Sequence, residues 1–293
     1  MFFSTILAAS LVFTPSDARV SYSAASDLVA KHTPRDAGTL RGARAANFVF
    51  NAATAAGADA RTDSFMAKTP VGMKRMTNVY ASFAVDPSAG WMVYVSHFDT
   101  KTGVACPGAN DGASTTGLLI GMCEALVRQR HLLKCNVMLV WTDGEECMSG
   151  YGPDDGLWGA RRAAKFLKDG GYKVIAVICL DMLGDKDLEI SIPKNSSKKL
   201  KRAARAIADA TALKGRVKEI REVVIDDNVP FAEEGFETVN LIDFEYGSKP
   251  KSNDYWHTPN DTIDKISRQS LLDAGQFAIK FIDILPRLEK PGS

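Results

Sequence analysis

Apolar, β-branched or aromatic runs recur along the chain at 78–84 (NVYASFA), 91–96 (WMVYVS), 136–141 (NVMLVW), 173–180 (KVIAVICL), 187–192 (DLEISI) and 238–244 (TVNLIDF). Each is short and bounded by polar or glycine-containing segments, which predicts strands. Between them the apolar spacing widens to a helical period. The segment 41–56 is rich in Ala and Arg; 112–129 puts Leu118, Met122 and Leu126 on one stripe; 158–168 and 197–212 are basic outside and aliphatic inside; 268–288 repeats Leu271, Ala274, Ala278, Phe281 and Leu285. Strands alternating with helices predict an α/β protein whose mixed, mainly parallel sheet is covered on both faces. In such sheets ligands bind beyond the carboxyl ends of the strands.

At 293 residues the chain is of a length that α/β enzymes commonly fold as one domain. Its start, MFFSTILAASLVFTPSDARV, carries an apolar stretch from Phe2 to Phe13 followed by Ser16-Asp17-Ala18, with small residues at both positions that a signal peptidase inspects. The expectation is a signal peptide over 1–18, a single catalytic domain over 19–293, and export to the periplasm or the medium. The apolar stretch is too short to span a bilayer. Because no Lys or Arg precedes it, a helix packed on the domain of a cytoplasmic protein is the alternative. With 36 Lys and Arg against 35 Asp and Glu, no global field favours nucleic acid or an anionic membrane, so a small ligand or a peptide is the expected partner. Cys106, Cys123, Cys135, Cys147 and Cys179 include no C-x-x-C spacing and read as buried thiols, with one disulfide left open.

The run ending at Trp141 continues as Thr142-Asp143-Gly144-Glu145-Glu146. Carboxylates crowded at the end of a buried strand repel one another and are costly to bury unpaired. Either the strand end emerges into water or something positive sits there. Other strand ends and loops carry similar groups: His97 and Asp99 in SHFDT, Asp111 in GANDGAS, Asp181 closing VIAVICLD, and His257 in YWHTPND. Each has a plain reading alone; Asp111, for one, suits a helix N-cap. Together, His97, Asp111, Glu146, Asp181 and His257 have the donor types of zinc sites with open coordination positions. Two zinc ions could be served if one carboxylate bridges, and three carboxylates would offset most of their charge. Glu145 would then remain free to move a proton. Asp99, two residues from His97 on a strand, could fix the imidazole through its other nitrogen. Of the remaining histidines, His131 reads as a solvated helix end and His32 as a surface residue.

The segments SHFDT, GANDGASTTGLL, TDGEE, GLWGARRAAKFL, LDMLGD, DDNVPF and YWHTPNDT resemble the M28 family of zinc-dependent exopeptidases, which includes bacterial aminopeptidases and animal-type glutaminyl cyclases. The resemblance runs from about TPRDAGTLRG to DTIDKIS. It implies the zinc-dependent exopeptidase (phosphorylase/hydrolase-like) fold, with about eight strands flanked by helices. By the same resemblance, His97 and Asp181 bind one zinc, Glu146 and His257 the other, and Asp111 bridges them. Glu145 is then the general base and Asp99 orients His97.

The leading expectation is an aminopeptidase that releases N-terminal residues from peptides with a free N-terminus, using metal-activated water and Glu145. The alternative is a glutaminyl-peptide cyclotransferase forming N-terminal pyroglutamate, for which the resemblance implies one zinc. The third is a peptide-binding module without catalysis, although no ligand or base is missing. Trp256 beside His257 and the acids Asp226-Asp227 lean toward the cyclase and make Trp256 and Asp227 candidate substrate contacts. GANDGASTTG and Ser96 lean toward the peptidase. Asn228 stands where relatives commonly have histidine.

Overall fold

The computed structural model describes residues 10–288. In chain order the elements are α1 (Pro15–His32), α2 (Leu40–Ala55), β1 (Asp59–Thr69), β2 (Gly72–Phe83), β3 (Trp91–His97), α3 (Thr115–Arg128), β4 (Asn136–Thr142), α4 (Trp158–Asp169), β5 (Val174–Asp181), β6 (Ile190–Ile192), α5 (Lys198–Asp209), β7 (Val217–Glu219), α6 (Asn228–Glu233), β8 (Thr238–Ile242) and α7 (Arg268–Leu288). A one-turn π-helical segment, Ala109–Ser114, leads into α3.

All eight strands form one mixed sheet in the order β1-β2-β4-β3-β5-β8-β6-β7. The strands β4, β3, β5 and β8 run parallel through its centre. Every residue of β4 is buried, as expected for a strand covered on both faces, and this is why its sequence reads as a continuous apolar run. On one face α1, α2, α3, α5 and α7 pack over Phe83, Tyr94, Leu139 and Ile178; on the other α4 and α6 cover Val93, Val140 and Val177. At the far edge β1 pairs antiparallel with β2 from Gly72 to Ser82.

Most of the apolar N-terminal stretch lies outside the described residues. The part from Ser10 onward packs on the domain: Leu11 and Phe13 are buried, and α1 runs unbroken across position 18. Thr14 and Asp17 form a reciprocal capping box, and Arg128 grips the Asp17 carboxylate with both nitrogens at 3.0 and 2.8 Å. All five cysteines are buried free thiols. Among the described residues no helix is long and apolar enough to cross a membrane.

Candidate metal centre

The parallel strands end level with one another. His97 closes β3 in register with Thr142 of β4, and Asp181 closes β5. The chain beyond β4 brings Glu145 and Glu146 over these ends, the π-helical segment brings Asp111, and the loop after β8 brings His257. Asp111 joins the two halves: its Oδ1 lies 3.1 Å from His97 Nε2 and its Oδ2 3.2 Å from His257 Nε2. His97 Nε2 is also 3.2 Å from Asp181 Oδ1, and His257 Nε2 is 2.8 Å from Glu146 Oε1. Donor atoms about 3.3 Å apart are what four-coordinate zinc with bonds of about 2.0–2.1 Å requires. Two groups, His97–Asp111–Asp181 and Asp111–Glu146–His257, could therefore each hold a metal ion, and their imidazole and carboxylate donors suit zinc. Gly112 permits the close approach, since a Cβ there would stand 2.8 Å from His97 Nε2. His257 (φ 55°) and Met182 (φ 56°), which follows Asp181, both hold left-handed backbone. Such a conformation persists in a non-glycine residue when its surroundings over-determine it, and it clusters at functional sites.

The buried charges perturb one another. Burial lowers the two imidazoles' affinity for protons, but the hydrogen bonds they donate to Asp111 and the other carboxylates outweigh it, raising His97 well above its usual range and His257 to about 9. Burial lifts Asp181 to about 7. Glu145 is pushed well above the usual carboxylate range by burial and then by the neighbouring charge of Glu146. For Asp111 burial acts upward as well, but the hydrogen bonds from His257 and His97 prevail and hold it low. Imidazolium groups wedged among carboxylates are the arrangement that a dication replaces with release of protons.

Asp99 faces His97 and the backbone of the acidic turn. Its carboxylate stands 3.5 Å from His97 Nδ1, and its two oxygens accept the backbone amides of Glu145 (3.1 Å) and Glu146 (3.2 Å). It therefore fixes the acidic turn directly. Trp256 lies flat on His257, with ring centroids 3.9 Å apart, and meets Phe244 edge-on at 5.7 Å. Beside the cluster opens a small cavity of about 30 Å³ whose lining includes Glu145, Glu146, Asp181, Ile242, Phe244 and Trp256. Of the acidic pair, Asp226 lines it. Asp227 is fully buried and accepts a hydrogen bond from Thr142 Oγ1. His131 is exposed, and His32 is half-buried against Phe48.

Three residues of the site were not expected. Arg35, fully buried in the loop after α1, donates from Nε to the carbonyl of Phe98, from Nη1 to Pro107 O (2.8 Å) and from Nη2 to Gly108 O (2.6 Å). Asp261 accepts the amides of Asn110 (2.7 Å) and Asp111 (3.2 Å) from the other side of the same turn. Tyr151 Oη donates to Glu145 Oε1 at 2.9 Å. Only the position of Asp261, four residues after His257, offered a signal; Arg35 lies far away in the sequence.

A mixed α/β sheet with histidines and carboxylates gathered at the carboxyl ends of its parallel strands puts a candidate metal site where such sheets bind ligands. The profile of peptidase family M28 matches residues 78–282, and the chain belongs to that family. A glutaminyl cyclase from an Acidobacteriales bacterium is 30% identical and superposes with a TM-score of 0.87 over 98% of this chain and 100% of its own. The glutaminyl-peptide cyclotransferase of Drosophila melanogaster is 25% identical over 262 residues, 80% of this chain and 72% of the fly protein. The chain spans 58% of a Bos taurus glutaminyl-peptide cyclotransferase-like protein, at 26% identity. A leucine aminopeptidase precursor from Bacteroides thetaiotaomicron shares the fold, with a TM-score of 0.81 at 19% identity over 94% of this chain and 98% of its own.

Proposed function

We propose that the protein is a glutaminyl-peptide cyclotransferase, converting an N-terminal glutamine into pyroglutamate with loss of ammonia. The observation that carries this reading is the apolar wall at the metal cluster, where Trp256 covers the imidazole of His257 and Phe244 and Ile242 continue the surface. Cyclisation needs a glutamine side chain folded back on its own α-amine in a space that excludes competing water. The end-to-end similarity to the Acidobacteriales cyclase supports the same reading.

In this reaction the α-amine nitrogen forms a bond to the side-chain amide carbon and the bond from that carbon to the amide nitrogen breaks. A zinc ion held by Asp111, Glu146 and His257 would supply polarisation of the amide carbonyl. Glu145 takes the proton that the attacking amine must shed and delivers it to the departing nitrogen, so that ammonia leaves and Glu145 ends as it began. Asp226, at the cavity wall, faces the α-amine. Trp256 and Phe244 pack on the folded methylenes.

An aminopeptidase is the second reading, favoured by the two separate oxygens that Asp111 offers to His97 and His257, an arrangement suited to two metals. Incubation with a Gln-Leu-Phe peptide separates the two by mass spectrometry. Loss of ammonia from the otherwise intact peptide is the expected result; free glutamine would instead establish hydrolysis.

A further inference from the structure

Glu145 has two carboxylate oxygens, and the structure treats them differently. Oε1 accepts the hydrogen bond from Tyr151, whereas among the described residues no hydrogen bond reaches Oε2. Tyr151 is held in place by a tightly closed loop. The chain leaves the acidic turn at Glu146 and returns to it, with Leu157 N donating to Glu145 O and Trp158 N to Gly144 O, each at 2.9 Å. Within the loop, the Asp155 carboxylate gathers the amides of Met148 (2.6 Å), Ser149 (2.8 Å) and Gly150 (3.0 Å). Gly152 and Asp155 exchange backbone hydrogen bonds, and Arg161 ties down Gly152 O at 3.0 Å. Gly156, at φ 80°, leaves the room in which the Tyr151 ring lies; a Cβ there would come within 2.6 Å of the ring. The loop thus delivers a phenol to the cavity lining and onto the Glu145 carboxylate.

We propose that Tyr151 is a positioning residue that assigns separate tasks to the two oxygens of Glu145: Oε1 is anchored and Oε2 carries the transferred proton. The terminal torsion of a glutamate is broad, so burial alone leaves the plane of its carboxylate free to turn. A phenol donating to Oε1 fixes that plane. It also decides where the proton resides when Glu145 is protonated, because an oxygen already accepting from a hydroxyl is the poorer site for a second proton. The proton therefore sits on Oε2, the oxygen the phenol leaves free, and the phenol keeps its own proton throughout. This rests on the reading of Glu145 as the proton carrier, which the cyclase and peptidase readings share.

The test is Tyr151→Phe, which keeps the ring as a cavity wall and removes only the hydroxyl. With the Gln-Leu-Phe peptide, kcat is expected to fall about 10–100-fold, the worth of a hydrogen bond to a charged group, while KM and bound zinc stay at wild-type values. In a Glu145→Gln background the same substitution should cause no further loss, because the group it positions is gone. An unchanged kcat, a change confined to KM, or an equal loss in both backgrounds would overturn the proposal. Crystal structures of the wild type and of Tyr151→Phe read the geometry without turnover: one carboxylate orientation is expected in the first and more than one in the second. The same single orientation in both would overturn it even if the peptide proves to be no substrate, an outcome that would count separately against the proposed reaction.

Discussion

Asp99 stands closer to the backbone of Glu146 than to the ring of His97, with its Oδ2 3.2 Å from the Glu146 amide and its Oδ1 3.5 Å from His97 Nδ1. One buried carboxylate thus holds the turn that presents both glutamates. Asp99→Asn turns one acceptor into a donor facing an amide hydrogen, so the turn itself should loosen. The expected result is a loss of zinc affinity and turnover of about 10–100-fold, as for other groups supporting metal ligands, with folding retained. Zinc titration against a chelator measures it. Wild-type affinity and turnover would remove Asp99 from the site.

Glu145 and Glu146 are adjacent and chemically identical, yet only Glu146 reaches a histidine, at 2.8 Å from His257 Nε2. Glu146→Gln should release zinc, because a neutral amide is a poor ligand for a dication. Glu145→Gln should keep full metal content and lose about 10²–10⁴-fold in turnover. Elemental analysis beside the peptide assay separates the two. Near-normal turnover in Glu145→Gln would show that another group moves the proton.

Zinc binding should strengthen as pH rises. His257, lifted to about 9 by its carboxylate partners, carries a proton at neutral pH and must lose it to act as a ligand. Each proton released makes apparent affinity rise about tenfold per pH unit up to that pKa. Calorimetry in buffers of differing ionisation enthalpy should therefore report at least one proton leaving per zinc at pH 7. Affinity independent of pH would contradict the role of His257.

Arg35 and Asp261 grasp the turn before Asp111 by opposite polarities, the guanidinium on its carbonyls and the carboxylate on its amides. Arg35→Lys keeps the charge but loses the planar fork. Asp261→Asn keeps an oxygen for one amide only. Both should weaken zinc binding with the secondary structure intact by circular dichroism. Unaltered zinc affinity in both would mean that the turn holds its shape unaided.

Removal of residues 1–18 should lower the melting temperature relative to removal of 1–9. Phe13 is fully buried, and Asp17 both caps α1 and binds Arg128. Losing a buried Phe side chain alone costs about 3–5 kcal/mol. Equal melting temperatures would mean that cleavage after Ala18 is harmless to the domain. N-terminal sequencing of the protein purified from its native source then tells whether such cleavage occurs.

The sequence by itself determined the central strands, the covering helices α2, α3, α4, α5 and α7, and the residue types of the candidate metal cluster. Central strands buried on both faces must be apolar throughout, covering helices must show an apolar stripe, and few side chains can ligate zinc, so each leaves a mark in composition or period. Those marks are absent for β1, whose eleven residues are mostly exposed; it exists through its ladder with β2. Only the tertiary structure decided that Asp99 serves backbone amides, that Asp226 and not Asp227 faces the cavity, that Arg35 supports Asp111 from 76 residues away, and that Tyr151 reaches Glu145. In the cases of Asp99 and Arg35 the partner is a backbone group, which every residue carries alike. In the others it depends on where a loop folds back, so neighbours in the chain give no sign of it.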